Sequence, residues 1–164
     1  MEAARRRLTY AEYVALEAAS DTKHEFIGGA VVAMAGGTIE HVRLVTRLTV
    51  LLSTALAGRP CVVLPSDVRV RIRAAERATY PDLQVVCGDV ERDPEDECAV
   101  VNPVAIIEVL SDSTAEGDRG DKFAAYRRLR SLKQYVLVSQ QERRVDVYRR
   151  EGRRWLLDEY QTGD

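Results

Sequence analysis

Apolar residues recur along this 164-residue chain in three rhythms, and the points where one rhythm gives way to another mark its elements. Between Thr38 and Ala57, Ile39, Val42, Val45, Leu48, Leu52 and Leu56 come at steps of three and four, predicting a long helix closed by Gly58 and Pro60. Thr9-Tyr10-Ala11-Glu12 has the form of a capping box, which predicts a shorter helix to about Ala19. The second rhythm is alternation. Ser66 to Arg73 alternates apolar with basic residues, predicting a half-buried strand that shows its arginines to one side. The Ala74–Thr79 connection should fold that strand back antiparallel against the one after Tyr80. His24 to Met34 holds two strand-like runs around Gly28-Gly29, a hairpin signal. Cys61 to Leu64, Gln134 to Ser139, Arg144 to Arg149 and Arg153 to Leu157 read as further strands, the last two joined at Glu151-Gly152.

The third rhythm is an unbroken apolar run, Val104-Ala105-Ile106-Ile107-Glu108-Val109-Leu110, held between Asn102-Pro103 and the polar cluster Ser111-Asp112-Ser113-Thr114. Such a run predicts a central strand covered on both faces. Glu108 interrupts it. A carboxylate buried there costs several kcal/mol unless a cation pairs with it or its proton affinity shifts. Tyr80-Pro81-Asp82 enters another apolar strand with Asp82 at its mouth. Downstream, Asp118-Arg119-Gly120-Asp121-Lys122-Phe123 opens a helix on which Lys122 and Tyr126 share a face while Phe123 and Leu129 turn to the core. Two acids at strand ends with a lysine nearby make a site for a hard cation beside a positive group, which is phosphodiester chemistry.

The order Pro-Asp, a strand bearing Glu-Val-Leu-Ser, Asp-Arg-Gly-Asp-Lys-Phe-Ala-Ala-Tyr on a helix, then Gln-Tyr-Val-Leu-Val on the next strand resembles the Uma-type restriction endonuclease family of the PD-(D/E)XK nuclease superfamily. The resemblance covers nearly the whole chain and is most specific between about Tyr80 and Val138. It implies an α/β (α+β) restriction-endonuclease-like fold, a mixed sheet flanked by helices. It also implies Mg²⁺ or Mn²⁺ held by Asp82, Glu108 and the backbone carbonyl of Val109, with Lys122 assisting the attacking water. Glu25 is similar to an N-terminal acid that the superfamily often adds as a further metal or water contact. One departure stands out: two residues after Glu108 the chain has Leu110 in place of lysine, and the lysine is found on the following helix, where the Uma-type group carries it. The family's further C-terminal strand and helix would be missing here, and by analogy two copies would act as a homodimer on DNA.

Composition narrows the alternatives. The length suits one domain over residues 1–164, with an ordinary apolar share of 46%. No apolar run approaches the ~20 residues of a membrane span, and the segment after Arg5-Arg6-Arg7 lacks a signal peptide's apolar core, so a cytoplasmic protein is expected. Cys61, Cys87 and Cys98 read as reduced packing residues. With only His24 and His41, carboxylates must carry any metal chemistry, and His41 reads as a packing or surface residue outside the site. Charge is uneven: eleven acids against Arg92 from Asp82 to Asp118, then twelve bases against four acids from Arg119 to Arg154. The acids from Glu91 to Glu97 read as a solvated loop and Asp67 as either a turn acid or a group facing the site. Three function classes follow: a metal-dependent DNA endonuclease, an inactive nucleic-acid-binding module on the same fold, and a carboxylate metallophosphatase.

Overall fold

The structure, a computed structural model, describes residues 7–111 and 114–163. Arg5 and Arg6, Asp112 and Ser113 of the polar cluster after Leu110, and Asp164 lie outside them. The capping box forms as predicted. The Thr9 hydroxyl accepts from the Glu12 amide at 3.2 Å, the Glu12 carboxylate accepts from the Thr9 amide at 2.8 Å, and α1 runs Tyr10–Ala18. Gly28 and Gly29, both at positive φ, turn β1 (His24–Ile27) into β2 (Ala30–Ala33). Then come α2 (Ile39–Ala55), β3 (Cys61–Pro65), β4 (Arg69–Ile72), β5 (Arg77–Thr79), β6 (Leu83–Cys87), β7 (Arg92–Asp93) and β8 (Asp96–Val100). The run around Glu108 is β9 (Ala105–Leu110). A short α3 (Ala115–Gly117) passes through a π turn over Asp118–Lys122 into α4 (Phe123–Tyr126), and β10 (Gln134–Ser139), β11 (Arg144–Glu151) and β12 (Arg154–Gln161) follow.

The strands form two mixed sheets, ordered β2-β1-β5-β4-β8-β7 and β12-β11-β10-β9-β6-β3. Within them β9 and β10 pair parallel across the α3–α4 crossover, and β4 and β8 also pair parallel, joined through β5, β6 and β7. Alternation along β9 divides the core. Ile107 and Val109 join Leu83, Val85 and Val138 beneath the α2 residues Leu44, Val45, Leu48, Leu52 and Leu56. Ile106 and Leu110 face the other way, against Ala125, Tyr126, Leu129, Tyr135 and the first sheet's Val70 and Ile72. Glu108 lies between Ile106 and Leu110 on that second face. On the first sheet, α1 sets Tyr10 and Tyr13 against Phe26 and Ala78.

Several expectations are corrected. β4 does not pair with the strand after Tyr80; it pairs with β5 and β8, while β6 pairs with β3 and β9 in the other sheet. Its arginines are not on show, because α1 roofs that face. Arg69 is buried, donating to Asp96 at 2.7 and 2.6 Å, and Arg71 lies 3.9 Å from the Tyr10 ring centre. The acids from Glu91 to Glu97 are not simply a solvated loop. Asp93 and Asp96 are buried as partners of Arg73 and Arg69, which hold both carboxyls below the ordinary carboxylate range despite the opposing effect of burial. Cys61 and Cys87 are not reduced packing residues: the β3–β6 register sets them opposite each other and they form a disulfide, leaving Cys98 free and exposed. Among the described residues no helix is long and apolar enough to cross a membrane.

Removing one partner of a buried pair strands the other charge. Asp96→Ala should therefore lower unfolding free energy in urea titrations by about 3–5 kcal/mol, whereas the exposed Asp67→Ala, which breaks a surface pair with Lys23, should cost about 1 kcal/mol or less.

Candidate active site

Sheet register does the first part of the positioning. Leu83 pairs with Ile107 across β6 and β9, so the residues one step outward, Asp82 and Glu108, meet at the same strand edge. Two hydrogen bonds close the contact: the Asp82 amide donates to Glu108 Oε2 at 3.3 Å, and the Val109 amide donates to Asp82 Oδ2 at 2.7 Å. The helical segment after β9 supplies the cation. Gly117 and Gly120, poor α-helix formers, sit before and within the π turn that carries Lys122. The Lys122 ammonium stands 3.3 Å from Glu108 Oε1, 3.1 Å from Asp118 Oδ1 and 3.7 Å from Glu25 Oε1. One turn on, the Tyr126 hydroxyl donates to the same Glu108 Oε1 at 2.9 Å and shares a 2.8 Å bond with Thr79 Oγ1.

Glu108 is buried, only 3% exposed, so its carboxyl group is cut off from water. Burial pushes its proton affinity up to about 8, overcoming the opposing pull of Lys122; the nearby carboxylates of Asp82 and Asp118 push the same way. Lys122 is buried too, yet Glu108, Glu25 and Asp118 raise its proton affinity and keep it cationic. Around these groups lies a cavity of about 540 Å³, walled by Glu25, His41, Arg77, Asp82, Asp118 and Lys122 among others. Even with Glu108 protonated, Glu25, Asp82 and Asp118 outnumber Lys122 and Arg77, and the buried Glu25 Oε1 accepts no hydrogen bond among the described residues, its nearest cation standing 3.7 Å away. A divalent cation fits that deficit. Among the described residues no three acidic, histidine or cysteine side chains are grouped to enclose an ion by themselves, so one or two carboxylates would hold it and water or a phosphate oxygen would complete its shell.

The structure thus brings together four residues singled out in the sequence, Glu25, Asp82, Glu108 and Lys122, and sets Val109 beside them through its amide. Asp67 is not among them; it pairs with Lys23 on the exposed surface. Four contributors were missed. His41 is a site residue, its Nε2 3.1 Å from Asp82 Oδ2. Thr38 caps α2 by accepting from the His41 amide at 3.2 Å, and Gly37 makes room, since a Cβ there would stand 2.9 Å from His41 Nδ1. Gly-Gly-Thr-x-x-His was the available signal. Asp118 precedes Lys122 by four residues, the spacing of any ordinary helix ion pair, and the position of Tyr126 fits packing with a polar tip as well as it fits the contact to Glu108. Arg77 carries no local signal, because β5 is only three residues long and the stretch Ala74–Thr79 has the pattern of a connection.

The family described as "Uma2: Putative restriction endonuclease" matches residues 10–164. Two uncharacterized proteins of Synechocystis sp. (strain ATCC 27184 / PCC 6803 / Kazusa) are similar along most of their length: sll1609 is 38% identical over 93% of this chain and 86% of its own, and slr1290 is 34% identical over 96% and 83%. A crystal structure of a "putative nuclease" of the DUF820 group from Anabaena variabilis ATCC 29413 superposes with a TM-score of 0.71 at 16% identity, covering 88% of this chain and 80% of that one, and so shares its fold.

Glu108 also gives the site a pH signature. Its folded-state proton affinity lies above the ordinary glutamate value of 4.5, so the stabilisation it contributes is complete below 4.5 and is lost as pH rises to about 8. Without divalent ions, Glu108→Gln should remove that decline. The gap between variant and wild-type unfolding free energies should widen in the variant's favour between pH 5 and 8, as read from urea titrations at stepped pH.

Proposed function

The chain belongs to the Uma2 family of restriction-endonuclease-like proteins, and from that premise we propose that it is a metal-dependent endonuclease that hydrolyses phosphodiester bonds in DNA. The observation that carries this reading is the reach of Lys122: from a helix, not from the position two after Glu108, its ammonium comes within 3.3 Å of Glu108. Asp82 and Glu108, with the carbonyl of Val109, are the proposed ligands for Mg²⁺ or Mn²⁺, and Glu25 is the proposed further contact to the ion or to water. When bound, the ion would lower the pKa of a water and draw charge from the phosphate. Everything else falls to the chain. Tyr126 and Thr79 hold Glu108 Oε1 in place, and His41 with the Val109 amide fixes Asp82 Oδ2. Lys122, kept cationic by three carboxylates, orients the attacking water and meets the charge that develops on the phosphate.

Cutting both strands of a duplex calls for two such sites, and the exposed apolar stripe Ile39, Val42 and Val50 on α2 is the surface proposed to join two copies. Sedimentation equilibrium should then return twice the 18.4 kDa chain mass, falling to the single mass in Val50→Glu.

Supercoiled plasmid incubated with the protein and Mg²⁺ or Mn²⁺ should be nicked and linearised. Asp82→Ala, Glu108→Gln and Lys122→Ala should each slow cleavage by about a hundredfold or more. Identical behaviour of the wild type and all three variants would replace this reading with that of a nucleic-acid-binding module.

A further inference from the structure

Arg77 is buried on β5, 8% exposed, and it walls the same cavity as Lys122. Arg69, buried on the neighbouring strand β4, is well satisfied, with two short bonds to Asp96 and a third to the Tyr80 hydroxyl, and Arg71, whose Nε has no partner among the described residues, lies over the Tyr10 ring and away from the cavity wall. Arg77, on that wall, is not well satisfied. Its Nε has no hydrogen-bond partner among the described residues, and its nearest carboxylate oxygen, Glu25 Oε2, lies 3.7 Å from Nη2, beyond hydrogen-bonding distance. Glu25 is equally loose on its other side, Oε1 standing 3.7 Å from the Lys122 ammonium. One carboxylate therefore lies between two buried cations and bonds closely to neither. Desolvating three charges for such long contacts is costly unless a better-fitting anion takes up the donors.

We propose that Arg77 and Lys122 form an anion seat for a phosphate group of the nucleic acid, in which the Glu25 carboxylate stands while no phosphate is present. A phosphodiester offers two non-bridging oxygens at a spread similar to that of a carboxylate, so it can face both cations at once. The planar guanidinium fork of Arg77 suits it better than a single point charge would. Its arrival releases Glu25 from between the cations and leaves that acid available for the ion or water contact assigned to it above. The identity of the anion as a nucleic-acid phosphate rests on the nuclease reading. The seat itself rests only on charge and distance.

The two parts separate experimentally in buffer containing EDTA, where no cleavage can occur. Inorganic phosphate is titrated by calorimetry and a short DNA duplex by fluorescence anisotropy, against wild type, Arg77→Gln and Glu25→Gln. Arg77→Gln should weaken both anions by about tenfold or more, the loss of a charge-assisted contact. Glu25→Gln should tighten both by roughly three- to tenfold, because it removes the competing negative charge without removing a donor. A purely structural salt bridge would not give that increase. Unchanged affinity in Arg77→Gln, or no gain in Glu25→Gln, overturns the proposal, and Glu25→Gln decides alone should Arg77→Gln fail to fold. Effects on phosphate but none on the duplex would make the seat one for free phosphate and overturn its assignment to nucleic acid. A chain that binds both anions as described yet leaves plasmid intact with Mg²⁺ or Mn²⁺ upholds the seat and removes the endonuclease.

Discussion

A carboxyl group inside an apolar strand must be compensated, and the surroundings of Glu108 are arranged to compensate it. Ile106 and Leu110 flank it on its own face of β9, and α4 covers that face, so water cannot neutralise the group. The Lys122 ammonium, the Tyr126 hydroxyl and the Asp82 amide do so instead. The first two come from the helical segment after β9 and the third from the mouth of β6, and the antiparallel β6–β9 pair and the crossover to the parallel β10 bring these segments together. Compensation is incomplete, which is why burial still raises the proton affinity of Glu108. A fully neutralised carboxylate would be inert; one that holds its proton tightly is a place where a stronger cation can compete.

The same imbalance extends to the cavity wall. Buried ion pairs in the scaffold, such as Arg69 with Asp96 and Arg73 with Asp93, are close and multiply bonded. The two that Glu25 makes on the cavity wall are longer, 3.7 Å to Arg77 and to Lys122, and they leave Glu25 Oε1 without a hydrogen bond among the described residues. Scaffold charges thus fasten the two sheets and the helices, whereas cavity charges are left able to change partners. That contrast distinguishes the acids of the scaffold from Glu25 on the cavity wall, whereas burial, which they share, does not.

Local pattern made much of this legible. Period-three-and-four spacing located α2, the capping box located α1, Gly28-Gly29 located the first hairpin, and the run broken by Glu108 located the central strand. The spacing of Lys122 and Tyr126 correctly put both on one face, and both reach Glu108. What stayed hidden depends on partners distant in sequence. That β4 and β5 leave for a separate sheet follows from the cover α1 gives them, which no local alternation encodes. Asp93 and Asp96 look like solvated loop acids until Arg73 and Arg69 stand over them, at separations of 20 and 27 residues. His41 and Arg77 enter the site only once α2 and β5 are packed around it.

The bond between Cys61 and Cys87 has a topological result. Both cysteines belong to the second sheet, but the chain between them leaves that sheet, builds β4 and β5 in the first, and returns through Asp82. The disulfide turns this excursion into a closed ring sewn through both sheets, with the strands next to the cavity inside it. Severing the backbone anywhere within the ring would still leave one covalent molecule, so the wall holding Arg77 and Asp82 is tethered from both directions.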